Sequence, residues 1–265
     1  MLLIVAVPII LQNFITNLVN MLDNLMVGSV GTEQMTGVAI ANQLIFIFNL
    51  TIFGAVAGAG IFGAQFVGKG DHNGVRYAFR FKIISALLLS AVGIAVFLLF
   101  GDQLIMMYLQ GEGEVENIEA SLRYGKEYAT IMLAGFVPYA ITQCYSATLR
   151  ESGETVLPMK AGILSMLINL CLNAVLIYGL LGIPAFGSAG AAIATVIARV
   201  AELAVVVVWT HRHSTAHPFI KGAYRSLYMP KVLIKDIVIK GLPLLFNELL
   251  WSLGITLQSG ILGHI

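Results

Sequence analysis

Residues 83–100 read Ile83-Ile-Ser-Ala-Leu-Leu-Leu-Ser-Ala-Val-Gly-Ile-Ala-Val-Phe-Leu-Leu-Phe100, a run without a charged residue. A helix needs about 20 predominantly apolar residues to cross the hydrocarbon core of a bilayer. With the residues from 80 onward, this run is long enough and predicts a transmembrane helix. Five more complete segments of this kind lie at roughly 2–27, 36–67, 127–149, 156–180 and 188–210, and a seventh runs from about 236 to the last residue.

The composition of the whole chain agrees with a polytopic membrane protein. Of its 265 residues, 58% are hydrophobic and 11% are charged, whereas a soluble domain is about 25% charged. Fifteen basic and fourteen acidic residues leave a net charge of +1, which is too small for a surface that binds nucleic acid. A disordered chain and a disulfide-stapled secreted domain are excluded as well.

Basic residues are concentrated in every second predicted loop. The loops around 68–82, 150–160 and 211–240 hold twelve of the fifteen Lys and Arg residues, and the loops between them are acidic or neutral. Because basic loops stay on the cytoplasmic side, we expect the N-terminus in the cytoplasm.

The seventh segment repeats the start of the first. At an offset of 235 residues, Pro8 aligns with Pro243 and Gly28 with Gly263. The offset spans six helices, so both copies would enter the membrane in the same direction, as in transporters built from parallel repeats. The sequence therefore predicts an all-α polytopic membrane protein with six transmembrane helices plus a truncated seventh, half of a parallel-repeat twelve-helix transporter. We expect a six-helix lobe at 1–210, a cytoplasmic linker at 211–235 and the truncated first helix of a C-terminal lobe at 236–265.

Asp23 is a charged residue inside the first segment. At mid-bilayer a charge costs ~2.5–3.5 kcal/mol on insertion scales, so it is retained where it faces a cavity or finds partners. Interhelical hydrogen bonding is one explanation, but a whole polar stripe favours a water-filled cavity that binds substrate. The residues that share the face of Asp23 at helical spacing are Asn13, Thr16, Asn17, Asn20 and Asn24.

Two other spans contribute polar candidates for the same cavity. Asn169 and Asn173 are four residues apart, so their amides share one helix face. Their carbonyl oxygens suit a hard cation, although interhelical hydrogen bonding explains the pair equally well. Thr195 is a weaker candidate, because threonine commonly bonds its own helix backbone.

Charged residues in the last two segments are harder to interpret. Glu248 follows Pro243 by five residues, so it lies either near a proline-induced bend or at the cytoplasmic edge of the seventh helix. Arg199 and Glu202 are three residues apart in the sixth segment and are expected to neutralise each other.

Four motifs, in this order along the chain, resemble those of the multidrug and toxic compound extrusion (MATE) transporters. They are Asp23-Asn-Leu-Met-Val-Gly-Ser-Val-Gly, Ala64-Gln-Phe-Val-Gly-Lys-Gly-Asp, Leu149-Arg-Glu-Ser-Gly-Glu-Thr-Val-Leu-Pro-Met, and Asn169-Leu-Cys-Leu-Asn with Gly187-Ser-Ala-Gly-Ala-Ala-Ile-Ala-Thr. The resemblance implies a transporter in which proton or sodium entry drives the efflux of organic, often cationic, drugs. It also implies that a C-terminal lobe of the same protein completes the substrate cavity.

The resemblance suggests roles for individual residues. Asp23 matches the coupling aspartate of the first helix, assisted by Asn169, Asn173, Thr195 and Ser146. Family members often carry an aspartate where this chain has Asn173, so one carboxylate of the usual cation cluster is missing. Some members also carry a glutamate at the position of Trp251, and Glu248 is the nearest acid here. No cofactor is expected; the coupling ion is H⁺ or Na⁺, and sodium could bind at Asp23, Asn169 and Asn173.

Two other functions remain open. A lipid-linked oligosaccharide flippase of the same superfold would need several basic residues in its cavity, and only Arg199 lies in a span. A membrane-embedded enzyme would need a catalytic pair within the spans, and the sequence has no HExxH, P-loop or GxSxG motif. We therefore expect a transporter and not an enzyme.

Overall fold

The computed structural model describes residues 10, 14, 18, 21–22, 25–109 and 117–262; at 181, 245, 248–249, 252–253 and 255–262 it describes the backbone alone. Seven long helices make up most of this part of the chain. They are α1 (Thr32–Gly68), α2 (His72–Leu109), α3 (Ile118–Leu133), α4 (Phe136–Glu151), α5 (Val156–Tyr178), α6 (Gly187–Arg212) and α7 (Lys231–Leu262). Short 3₁₀ turns occupy Leu180–Gly182 and Pro218–Ile220.

The surface of the bundle is apolar along its long helices. Helices α1, α2, α5 and α6 are long and apolar enough to cross a membrane, and only 11% of the most apolar stretch of α2 is buried. Leu88, Leu98 and Leu99 are each more than 60% exposed. A lipid environment covers such a surface, whereas in water it would drive association. The prediction of a helical membrane protein is confirmed.

The fourth predicted span is bent. One continuous helix was expected at 127–149, and this is wrong, because α3 ends at Leu133 and α4 begins at Phe136. Pro138 has no N–H to donate to the carbonyl of Ala134, which is where an α-helix loses its register. Phe136 follows the bend, is fully buried and stacks on Phe48 with ring centroids 3.8 Å apart.

Helix α1 is the central element of the packing. It contacts α2, α3, α4 and α7, while α6 packs against α3, α4 and α5. The turn between α1 and α2 explains part of the second motif. Gly70 adopts φ 69°, which an L side chain rarely adopts, and Asp71 Oδ1 accepts hydrogen bonds from the backbone N–H groups of Asn73 and Gly74. Asp71 is therefore the N-cap of α2.

Two basic residues expected in the first cytoplasmic loop lie buried on α2. Arg80 is 8% exposed and Lys82 is 0% exposed. The Arg80 guanidinium donates to the backbone carbonyls of Gly222 (2.8 Å), Ala223 (2.7 Å) and Tyr228 (2.9 Å). These bonds attach the segment between α6 and α7 to α2.

Aromatic contacts hold the same segment. His213 stacks on Trp209 at 4.2 Å, and the hydroxyls of Tyr145 and Tyr224 are hydrogen-bonded. His211 and His213 are exposed, whereas His217 is 8% exposed, and burial lowers the pKa of its imidazole. These contacts therefore attach the segment between Arg212 and Lys231 to the helix bundle.

Replacing Arg80 by glutamine is expected to increase the equilibrium population in which this segment is detached from α2 by at least about tenfold. Each hydrogen bond from a charged donor contributes about 1.5–3 kcal/mol, and a tenfold change needs about 1.4 kcal/mol. Trypsin cleavage after Lys221 and Arg225, followed over time, measures the opening. The control is Arg123→Gln, since Arg123 is an exposed arginine on α3. Equal cleavage rates in the two variants would show that the Arg80 bonds do not hold the segment.

Candidate functional site

Helices α1, α3, α5 and α6 enclose a cavity of about 290 Å³. Apolar and polar side chains line it in nearly equal measure, in contrast to the apolar outer surface. The lining residues are Val27, Val38, Asn42, Ile45, Phe46, Asn49, Tyr128, Met132, Asn173, Ala191, Thr195 and Arg199. A polar cavity between membrane-spanning helices is where a transporter handles its substrate or coupling ion.

Three residues predicted from sequence come together at this cavity. Asn173 is fully buried, and its Nδ2 donates to Oδ1 of Asn169 at 3.1 Å. Asn169 Nδ2 donates in turn to Oγ1 of Thr195 at 3.1 Å, which donates to the carbonyl of Ala191. The result is a hydrogen-bonded chain that joins α5 to α6, with Asn173 and Thr195 at the cavity wall.

The sequence interpretation missed the polar face of α1. Asn42 and Asn49 are seven residues apart, which is two helical turns, so both lie on one face. The hydroxyl of Tyr128 on α3 donates to Oδ1 of Asn42 at 3.0 Å. Oδ1 of Asn49 is buried and has no hydrogen-bond partner in the described part of the chain. Two asparagines at this spacing in a predominantly apolar segment were the signal that could have identified them.

Arg199 reaches the cavity from the middle of α6. Its Nη1 donates to the carbonyl of Gly135 at the α3–α4 bend (3.3 Å), and its guanidinium carbon lies 4.9 Å from the centre of the Tyr139 ring. Between described residues, ion pairs are formed only by Lys82 with Glu151 and by Lys126 with Asp102. Arg199 and Glu202 form no such direct contact, but the two side chains interact electrostatically, so their expected mutual neutralisation stays a prediction.

The remaining predicted residues are not at this cavity or lie outside the described part. Ser146 is buried on α4 and does not line the cavity. For Glu248 only the backbone, within α7, is described. The first-segment residues Asp23, Asn13, Thr16, Asn17, Asn20 and Asn24 all lie outside the described residues.

Comparison with known proteins decides the family. The sequence profile described as MatE matches residues 8–175. The chain belongs to the MatE family. The match includes three of the four motifs and extends past the cavity residue Asn173. MatE members are transporters, in agreement with the expectation that the chain is not an enzyme.

Curated relatives of this MatE chain are roughly twice as long as the chain. A probable multidrug resistance protein NorM of Thermotoga maritima is 26% identical over 97% of the chain and 53% of the relative. A probable NorM of Halalkalibacterium halodurans is 31% identical over 92% of the chain and 52% of the relative. The chain thus spans about half the length of the curated relatives it matches.

A solved structure confirms the fold. The chain superposes with a TM-score of 0.80 on a multidrug resistance MATE family transporter of the MOP superfamily in its outward-facing conformation. The two are 22% identical, and the match covers 94% of this chain and 52% of that one. The all-helical membrane fold predicted from the sequence is therefore confirmed, and the match spans about half of that transporter.

Proposed function

We propose that the chain forms the N-terminal lobe of a cation-coupled antiporter, which exports amphipathic organic drugs, organic cations among them, from the bacterial cytoplasm. A second lobe of the same protein would complete the substrate cavity, with residues 211–235 as the connection on the cytoplasmic side. The basic loops support a cytoplasmic N-terminus. The observation that carries the proposal is the polar cavity between α1, α3, α5 and α6.

The position of Val27 supports a coupling role for Asp23. Val27 lines the cavity, and Asp23 precedes it by four residues in the predicted first helix. Residues at that spacing share a helix face, so we expect the Asp23 carboxylate to reach the same cavity. The hydrogen-bonded side chains of Asn169, Asn173 and Thr195 supply neutral oxygens and donors at the wall of this cavity.

The choice between H⁺ and Na⁺ depends on the number of carboxylates. Sodium is a hard cation that prefers several oxygen ligands, best with charged ones among them. Here the second family acid is replaced by Asn173, so Asp23 would be the sole carboxylate of the set. This favours proton coupling, in which Asp23 takes up a proton outside and releases it inside; one inward charge gains ~2.3 kcal/mol per 100 mV.

Ethidium efflux from energised vesicles tests the proposal. The vesicles contain the full-length protein that carries this lobe, with and without sodium, and with and without collapse of the pH gradient. Efflux that stops with the pH gradient and ignores sodium supports Asp23 as the proton carrier. Efflux that requires sodium favours a site of Asp23, Asn169 and Asn173. No efflux under any condition would contradict export and favour the flippase.

Replacing Asp23 by asparagine is expected to abolish coupled efflux while leaving folding intact, because the variant keeps the shape of the side chain and loses the ionisable group. The initial rate of ethidium efflux in the same vesicles measures the effect. Asp102→Asn is the matched control, since Asp102 lies on the surface in an ion pair with Lys126 whose two side chains are 54% and 58% exposed. Retained efflux in a well-expressed Asp23→Asn protein would contradict the coupling role.

A further inference from the structure

Arg199 places a cation in the cavity at the middle of a membrane-spanning helix. It lies halfway along α6 (Gly187–Arg212) and lines the cavity together with Thr195, one turn before it. A charged side chain at this depth is costly, and such residues usually face a pathway or a ligand. Its contacts with Gly135 and Tyr139 explain its orientation but do not neutralise it.

Arg199 belongs to a cluster of five charged side chains. Arg150 and Arg199 both interact electrostatically with Glu202, while the other nearby carboxylate, Glu151, is held by Lys82 in an ion pair of 2.6 Å. Among the described residues of this cluster, three cations therefore meet two carboxylates. Arg199 is the member of this cluster that lines the cavity.

Arg199 also has hydrogen-bonding capacity to spare. A guanidinium carries five N–H donors in a flat fork that matches a carboxylate, and Arg199 uses one of its nitrogens for the Gly135 carbonyl. One side-chain amide extends the polar wall. The Tyr128 hydroxyl donates to Oδ1 of Asn42, so the NH₂ group of Asn42 remains available as a donor to an anion.

We propose that Arg199, with Asn42, forms a subsite for a carboxylate or similar anionic group of the transported molecule. Because of Arg199, the lobe binds amphipathic organic carboxylates and zwitterions more tightly than the corresponding esters, in which the carboxylate is replaced by an uncharged group. A cavity of 290 Å³ is just below the ~300–1,000 Å³ of pockets for whole drug-sized ligands, so it takes the anionic end of the molecule. That the bound molecule is transported rests on the proposed function, whereas the binding preference does not.

The test compares rhodamine B, which carries a free carboxylate, with its ethyl ester. Binding of both dyes to the purified full-length protein is measured by fluorescence polarisation in detergent, and their efflux is measured in phosphatidylcholine vesicles. We expect wild type to prefer rhodamine B and Arg199→Gln to reduce the ratio of the two affinities by about tenfold or more, because a hydrogen bond to a charged group is lost. Arg199→Lys keeps the positive charge but lacks the planar set of N–H donors, so it should retain a weaker preference for rhodamine B. The control is Arg123→Gln, which removes an arginine 4.9 Å from the Tyr124 ring centre, outside the cavity.

The outcomes separate this subsite from the export function. If Arg199→Gln weakens the binding of both dyes equally, so that the ratio of the two affinities is unchanged, Arg199 has a structural role and the proposal is overturned. If Arg199→Gln does not fold, an unchanged preference in Arg199→Lys overturns it as well. If wild type exports neither dye but binds rhodamine B in an Arg199-dependent way, the export function fails and the subsite stands. Loss of the wild-type preference on adding phosphatidylglycerol would assign the subsite to a lipid phosphate and overturn the assignment to cargo.

Discussion

Replacing Lys82 by methionine is expected to destabilise the lobe by about 3–5 kcal/mol, which is the usual cost of leaving one member of a buried ion pair without its partner. Lys82 is 0% exposed, and its Nζ contacts both carboxylate oxygens of Glu151 at 2.6 Å. Nζ also donates to Oγ1 of Thr148 at 3.1 Å. Methionine fills most of the space but leaves the Glu151 carboxylate, whose side chain is 14% exposed, without its ion-pair partner.

The chain offers a matched control and a rescue for this prediction. Lys126 pairs with Asp102 at 2.7 Å on the surface, where both side chains are more than half exposed, so Lys126→Met should cost only ~0–1 kcal/mol. The double variant Lys82→Met with Glu151→Leu removes both charges and should recover most of the lost stability. The free energy of unfolding in mixed detergent micelles, titrated with SDS, measures all three. Equal costs for Lys82→Met and Lys126→Met would mean that the buried pair contributes no more than the exposed one.

The sequence was sufficient for the helices and for one wall of the cavity. Apolar runs of membrane length predict helices because the bilayer allows few other structures. The spacing of Asn169 and Asn173 placed both amides on one face, and α6 brings Thr195 within hydrogen-bond distance of Asn169. Local spacing determines which residues share a face, so this part of the site could be found without a structure.

The rest of the cavity depends on contacts between distant parts of the chain. Asn42 meets Tyr128 across 86 residues, and periodicity within α1 does not reveal that α3 lies opposite. The bend at Pro138 was also missed, since the apolar run continues through it and hydropathy does not detect a missing N–H. From the sequence, Arg80 and Lys82 were interpreted as basic residues of a cytoplasmic loop. Their hydrogen-bond partners lie 142–148 and 66–69 residues further along the sequence, respectively.

Replacing Gly37 by valine is expected to separate α1 from α3 and to cost several kcal/mol, more than the about 1–3 kcal/mol typical of an over-packed core. A Cβ at Gly37 would lie 2.4 Å from the carbonyl oxygen of Ser121 and 2.7 Å from the backbone nitrogen of Gly125. A Cβ at Gly125 would lie 2.9 Å from the carbonyl oxygen of Gly37. Because these neighbours are backbone atoms, no rotamer change relieves the contact.

The position of this crossing makes the same substitution a test of the cavity. Gly37 is adjacent to the lining residue Val38, and Gly125 is one turn before Tyr128. Moving the two helices apart should therefore break the Tyr128–Asn42 hydrogen bond and reduce dye binding together with stability. Gly101→Ala is the control, since a Cβ there meets nothing within 4 Å and alanine is favoured over glycine inside a helix by roughly 1 kcal/mol. SDS titration and rhodamine B binding measure the two effects; a Gly37→Val protein as stable as Gly101→Ala would contradict the close crossing of α1 and α3.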